Sequence, residues 1–376
     1  MQADQPVHLS IGIMAWNEED SIRTTLESLF RQSIFEKMSV RGRRCEIICI
    51  ANGCTDRTVE VAGETFDRLT GENDHPEAIV TRVVNLVEPG RSNAWNRFVH
   101  EFSAPEARFI CLMDADIIFR ERDTLISLVE TLEKDPHASV STGRHYKDIY
   151  FKEHKTLLDR VSLATSSMTG TIPGGFSGQL YCMRAEVVRN IRLPRDLVAN
   201  DDGFLKAVIC TRSLTRELDV SHIAKAPDAA IIYEAYVSVA DVLNNQKRQM
   251  IGQTTVHVLL DYLESLPIEA RAHLAETIDR LDRQDPDWFK KLNERHIREI
   301  EHFWQLFPGI LTFRFARLAK LPGFKKITHA PAAAVGFVVT MIACWRAFRS
   351  LRRGTAAYWP KARRQTLLHA AGLEAK

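Results

Sequence analysis

The chain carries almost no excess charge. Lys and Arg number 50 against 48 Asp and Glu, a net charge of +2. No broad basic field therefore points to nucleic acid. The seven cysteines are odd in number, lie mostly in apolar runs and show no Cys-x-x-Cys pair. That argues against a disulfide framework and leaves zinc without its usual spacing. Met1 to Pro6 is polar, so no apolar leader is expected. Internal repeats are missing, which removes solenoids and propellers, and there is no low-complexity linker. What remains is 376 residues, 45% hydrophobic and 26% charged. This is ordinary globular composition, with room for two domains or one large domain and an appendage.

The chain is organised around Phe109-Ile-Cys-Leu-Met-Asp-Ala-Asp116. An apolar run of strand length ends in two carboxylates one residue apart. If the extended backbone persists, Asp114 and Asp116 share one face at the strand's carboxyl end. Ligands bind at that edge in open α/β sheets. The pair has no obvious basic partner in the sequence, and a hard cation such as Mg²⁺ or Mn²⁺ relieves its repulsion. A solvated turn is the plainer alternative.

Other apolar runs precede it, at Leu9–Ala15, Cys45–Ala51 and Ile79–Leu86. Helical spacing follows each, starting at Asn17 as an N-cap, at Asp56 as another, and at Ser92. A helix over 123–134 and a strand over 138–142 come next. This alternation predicts a mostly parallel sheet with flanking helices. A mostly helical insertion is expected from His145 to Met168. Pro173–Gly178 is a glycine-rich loop whose backbone can approach a ligand closely. Asn200-Asp-Asp-Gly203 precedes an apolar helix, Ile231–Tyr233 is a short strand, and 237–263 is helical.

The order Asn17-Glu18-Glu19, Ala51-Asn-Gly-Cys-Thr-Asp56, Gly90-Arg91, Asp114-Ala-Asp116, Asn200-Asp-Asp202 and Arg248 to Gly252 resembles the family 2 glycosyltransferases. The resemblance covers residues 7 to 255. It implies the GT-A fold, a Rossmann-like mostly parallel sheet. It also implies inverting sugar transfer from a nucleotide diphosphate, a UDP-sugar in most members, to a hydroxyl acceptor that is lipid-linked or a cell-envelope glycan. Carried over residue by residue, Ala15, Glu18, Asn52, Arg91 and Asp114 would bind the nucleotide sugar. Asp114 and Asp116 would hold the Mn²⁺ or Mg²⁺. Asp202 would be the general base, with Asp201 beside it, and Arg248 would pair with the leaving diphosphate. Each has a structural alternative: dipole stabilisation for Glu18, a turn for Asn52-Gly53, a surface arginine for Arg91, helix capping for Asp201 and Asp202, and a solvated helix face for Arg248. Asn52 replaces an aspartate of the family pattern, which leaves base choice open. The Gln and Trp of the processive synthases are missing around Arg248, which argues against a polymerising enzyme.

Domain 1–262 is expected to be catalytic and 263–376 helical. Phe303 to Leu321 reads as an amphipathic interfacial helix broken at Pro308-Gly309. Residues 327–345 contain no Asp, Glu, Lys or Arg, and Arg346, Arg349, Arg352 and Arg353 follow. The run is barely long enough to span a membrane. Nucleotide sugars are cytosolic, and the basic tail prefers the same side. One crossing cannot place both there. The expectation is an interfacial or re-entrant anchor at the cytoplasmic face of a membrane. A helix packed on the catalytic domain is the soluble alternative. Two other functions stay open: a non-catalytic scaffold subunit on the same fold, and a nucleotidyltransferase. The latter is disfavoured because no glycine-rich, lysine-bearing phosphate loop follows the first strand.

Overall fold

The computed structural model describes residues 5–156, 159–160, 162–163, 174–236, 238–319 and 323–355. Four apolar runs become parallel neighbours: β1 (Val7–Ala15), β2 (Arg44–Asn52), β3 (Ile79–Leu86) and β4 (Phe109–Asp114). β1 and β2 are buried along nearly their whole length, as parallel strands covered on both faces must be. Four more strands complete the sheet: β5 (Ile117–Phe119), β6 (Val140–Lys147), β7 (Leu180–Arg184) and β8 (Ile223–Tyr233). The order is β3-β2-β1-β4-β7-β6-β8-β5. β7 is antiparallel to both β4 and β6, and β5 to β8. The result is the expected α/β, GT-A-like fold with a mostly parallel sheet and flanking helices. The reversal at β7 brings the loop before it to the carboxyl end of β4, where Asp114 N–H donates to Gln179 O at 3.0 Å.

Apolar side chains fill both faces of the sheet. Leu9, Ile11 and Ile13 of β1 belong to one core cluster. Ile48 and Ile50 of β2 belong to the other, with Trp95 and Phe98. A Cβ on Gly12 would lie 2.5 Å from the Phe98 ring. The missing side chain is what lets the helix over 91–102 press onto β1.

Several boundaries differ from the sequence pattern. The first helix is Ile22–Phe30, not one opening at Asn17. Asn17 instead takes a positive φ of 55°, and its Oδ1 accepts from Thr55 N–H at 2.7 Å. β4 ends at Asp114, so Ala115 and Asp116 form a turn rather than continuing the strand. A helix over Ile34–Val40 has no counterpart in the sequence reading. His145 to Lys147 extend β6, and a 3₁₀ turn covers Asp148–Phe151. About half of the expected helical insertion beyond them lies outside the described residues, and 159, 160, 162 and 163 are helical. β8 begins eight residues before Ile231, because Lys225, Pro227 and Asp228 hide its apolar content. Its pairing with β6 shifts register between Thr142 and Arg144.

The long helix Val239–Glu264 follows. Leu274, Ile278, Trp288 and Phe289 of the next two long helices join the second core cluster. Helix Gly323–Arg352 carries the apolar stretch 327–345. Its Ala343, Cys344 and Ala347 are fully buried in a third cluster with Met250 and Ile251 of Val239–Glu264. His329–Arg352 is long and apolar enough to cross a membrane by length and composition, with mean hydropathy 1.6 and 31% of that window buried.

Candidate active site

Three separate stretches converge at the carboxyl end of β4. Gly90, with φ 150°, opens the helix Arg91–Arg97 and sets Arg91 at its first position. Arg91 Nη1 lies 3.1 Å from Asp114 Oδ1, and Arg91 Nε lies 3.0 Å from Asp201 Oδ2. One guanidinium therefore bridges the strand-end carboxylate and the Asn200–Gly203 motif, 110 residues away for Asp201. The strand-end pair thus has a basic partner that the sequence did not offer. The two Asp charges hold Arg91 well above its already high range, Asp201 most strongly. Burial pushes the Asp114 carboxyl up, Arg91 pulls it down, and Asp116 raises it again. Asp116 is thus close enough for its charge to be felt although it lies in a turn.

Asp201 and Asp202 open the helix Asp201–Cys210, where acidic side chains suit the positive end of the dipole. Asn200 precedes them in the left-handed region at φ 64°. Asparagine tolerates that conformation better than most residues. Two glycines hold the loop there. A Cβ on Gly203 would lie 2.5 Å from the Asn200 side chain, and one on Gly252 would lie 2.7 Å from Asn200 Cβ. Asp202 Oδ1 accepts from Gly203 N–H at 2.9 Å. Burial, then the Asp201 charge, push the Asp202 carboxyl up to about 6, against Gly203 N–H and Arg91. A carboxylate near 6 ionises at neutral pH yet is a better proton acceptor than an ordinary aspartate. Gly178 closes the arrangement. A Cβ there would lie 3.4 Å from Arg91 Nη2 and 3.6 Å from Asp202 Cβ.

Arg248 lies one helical turn before Gly252, on the face that Gly252 turns toward Asn200. At the carboxyl end of β2, Asn52 Oδ1 accepts from Gly90 N–H at 2.9 Å. The Asn52 side chain, carried over as part of the nucleotide-sugar site, thus ties β2 to the Arg91 helix. Ala15 is buried, and its carbonyl accepts a long contact from Cys54 Sγ at 3.6 Å. Glu18 is buried, and its Oε2 accepts from Ser21 Oγ at 2.6 Å. Asp56 lies one residue before Arg57, the N-cap of the helix Thr58–Glu72; its Oδ1 accepts from Thr58 N–H at 3.0 Å, and its Oδ2 from Glu19 N–H at 3.2 Å.

The sequence reading missed some members. Trp95 Nε1 donates to Tyr181 Oη at 2.9 Å, which fixes the floor beneath Arg91. No local pattern links residues so far apart. Gly178 and Gly252 had a signal, because both end stretches already singled out.

Asp114 and Asp116 offer oxygen donors only. That set suits Mg²⁺ or Mn²⁺, and a divalent cation would relieve the repulsion that raises Asp114. A second constellation, His137, Asp219 and His222, has ligand atoms within 4.8 Å of one another. It fits a metal poorly. His222 Nδ1 faces His137 O at 2.9 Å, and Arg212 Nε faces His222 Nε2 at 3.2 Å. The two rings stack at 4.4 Å and 19°, so their in-plane lone pairs do not converge. The cluster also lies at the amino ends of β6 and β8, opposite Asp114.

Residues 10–188 match the sequence model of Glycosyl transferase family 2, which places that region in the family. The match contains Arg91, Asp114 and Asp116 and stops before Asp201, Asp202 and Arg248. No curated protein sequence matches the chain. Among solved structures, the chain is similar to S. aureus TarS 1–349 at 14% identity, covering 93% of this chain and 92% of that one, with TM-score 0.46. It is also similar to glucosyl-3-phosphoglycerate synthase from Mycobacterium tuberculosis, solved with Mn²⁺, UDP-glucose and phosphoglyceric acid. That pair shares 16% identity over 69% of this chain and 81% of the other, with TM-score 0.43.

Proposed function

We propose that this chain, a family 2 glycosyltransferase over residues 10–188, is an inverting enzyme. It moves a sugar from a nucleotide diphosphate, a UDP-sugar, to a hydroxyl of a lipid-linked or cell-envelope acceptor. The observation that carries this reading is the Arg91 bridge, with Asp114 at 3.1 Å on one side and Asp201 at 3.0 Å on the other. It joins the carboxylates suited to a metal diphosphate to the loop that holds Asp202.

In the reaction the acceptor oxygen attacks the anomeric carbon as the bond to the diphosphate breaks. Asp202 takes the acceptor's proton, which its carboxyl near 6 suits. Asp114 and Asp116 would hold Mg²⁺ or Mn²⁺, which when bound stabilises charge on the departing diphosphate. Arg91 keeps Asp114 and Asp201 in fixed positions, and Arg248 supplies positive charge from the neighbouring helix. The catalytic face works at a cytoplasmic membrane surface, with the carboxyl-terminal helices against the lipid.

The test is a screen of purified protein against nucleotide sugars with and without Mn²⁺, followed by transfer to candidate hydroxyl acceptors. Metal-dependent turnover that Asp116→Ala removes is expected. Donor binding with no turnover on any acceptor or on water would favour a scaffold subunit. Unchanged Mn²⁺ dependence in Asp116→Ala would move the metal elsewhere.

A further inference from the structure

A second candidate site lies at the far end of the helix Gly323–Arg352. A cavity of about 470 Å³ is lined there by Trp304, Trp345, Phe348, Arg349, Arg352 and Arg353, with Glu301 the one acidic side chain on it. The arginines are arranged on aromatic faces. Arg349 lies 4.7 Å over the Trp345 ring, and Arg352 lies 4.5 Å over Phe348. Stacking occupies the flat of a guanidinium and leaves its N–H edge for an anion. Arg352 spends one donor on Ile300 O at 3.0 Å, which braces it against the preceding loop. Arg349 and Arg353 follow one another at one-turn spacing.

The same helix exposes apolar residues at spacings of three and four: Ile327, Pro331, Ala334, Val338, Ile342 and Trp345. Ile327 is 72% exposed and Val338 57%. The opposite face is the one buried against Met250 and Ile251. Between Glu301 and Glu374 the sequence has twelve Lys or Arg and no Asp or Glu. An occupant must therefore be apolar along the stripe and anionic at its end. A bilayer leaflet containing anionic lipid has both properties, and tryptophan prefers the headgroup level between them.

We propose that Arg349, Arg353 and the Trp304–Trp345 walls seat the phosphate of an anionic phospholipid while the Ile327–Trp345 stripe lies on the acyl boundary. This rests on the membrane-surface part of the reading above and not on the transfer chemistry.

The experiment is cosedimentation of the full chain with vesicles of phosphatidylcholine alone or mixed with phosphatidylglycerol, in the absence of nucleotide sugar. Binding to the mixed vesicles should be stronger by about tenfold or more, since each basic residue at an anionic surface contributes roughly 1 kcal/mol. It should weaken with added salt. Arg349→Gln with Arg353→Gln should remove most of that preference, and Val338→Asp should weaken binding to both vesicle types. Both variants should keep the thermal midpoint and donor hydrolysis of the parent. Equal binding to the two vesicle types, or a preference indifferent to the arginine pair, overturns the proposal. So does saturable binding of inorganic phosphate, lost in Arg349→Gln, without vesicle binding. A dimer that Val338→Asp converts to monomer, again without vesicle binding, would assign the stripe to a second copy of the chain. Because the assay needs no donor, transfer can succeed while this proposal fails, and the reverse.

Discussion

At the scale of single residues, Asp202 carries the sharpest expectations. Asp202→Asn keeps the shape and can still accept from Gly203 N–H through its side-chain oxygen. It should cost about 10²- to 10⁴-fold in transfer rate with donor affinity unchanged, measured by single-turnover transfer and by titration of the donor. The parent's rate should rise with pH through about 6 and then level. That acid limb should vanish in the variant. Stability moves the other way. A carboxyl raised from 3.8 to about 6 contributes stability that is complete below pH 4 and lost as pH rises through 6. Asp202→Asn should therefore be more stable than the parent at pH 8, by about 3 kcal/mol at most, and no more stable at pH 4. Urea melts at the two pH values, with chelator present, check the sign. Arg91 behaves oppositely. Arg91→Met leaves Asp114 and Asp201 without their bridge, and breaking a largely buried pair costs about 3 kcal/mol. Arg91→Lys should recover part of that, because a lysine restores the charge but not the fork.

Elements place these residues, and the sequence showed them unevenly. β1, β2 and β4 could be read because buried parallel strands are plain apolar runs. Ile79–Leu86 matches its strand end to end. β8 could be read only at its end, Ile231–Tyr233, since Lys225, Pro227 and Asp228 break the period before it while β6 and β5 still supply its partners. Asp114, Asp116 and the Asp201–Asp202 pair were visible as motifs, but the tie between Asp114 and Asp201 through Arg91 was not. An ion pair between residues 23 or 110 positions apart leaves no local pattern. The packing of helix Val239–Glu264 on the Asn200 loop was equally hidden, although its cause is a single glycine. Gly252→Ala tests that contact. Alanine favours the helix by about 1 kcal/mol, yet its Cβ would lie 2.7 Å from Asn200 Cβ and 3.1 Å from the Ala199 carbonyl carbon. The backbone of Ala199 has to move. The variant should lose transfer rate by about tenfold or more and lower the thermal midpoint despite the better helix former.

For the whole molecule, the carboxyl-terminal helix cannot simply be removed. Deleting residues from 323 onward uncovers Met250 and Ile251, which Ala343, Cys344 and Ala347 cover. The truncated chain should melt lower than the parent and bind a hydrophobic dye, whichever fraction it partitions into. Point changes on the exposed stripe leave that contact in place.

The helix Val239–Glu264 meets the Asn200 loop through Gly252 and the carboxyl-terminal helix through the adjoining Met250 and Ile251. Two neighbouring positions on one rigid rod thus answer to two different surroundings. Thermodynamic reciprocity then sets a constraint. If lipid at the outer helix alters the affinity for donor by some factor, donor must alter the affinity for lipid by that same factor. A membrane would then act on this enzyme as an effector, and a loaded active site would change how long the protein stays on the bilayer.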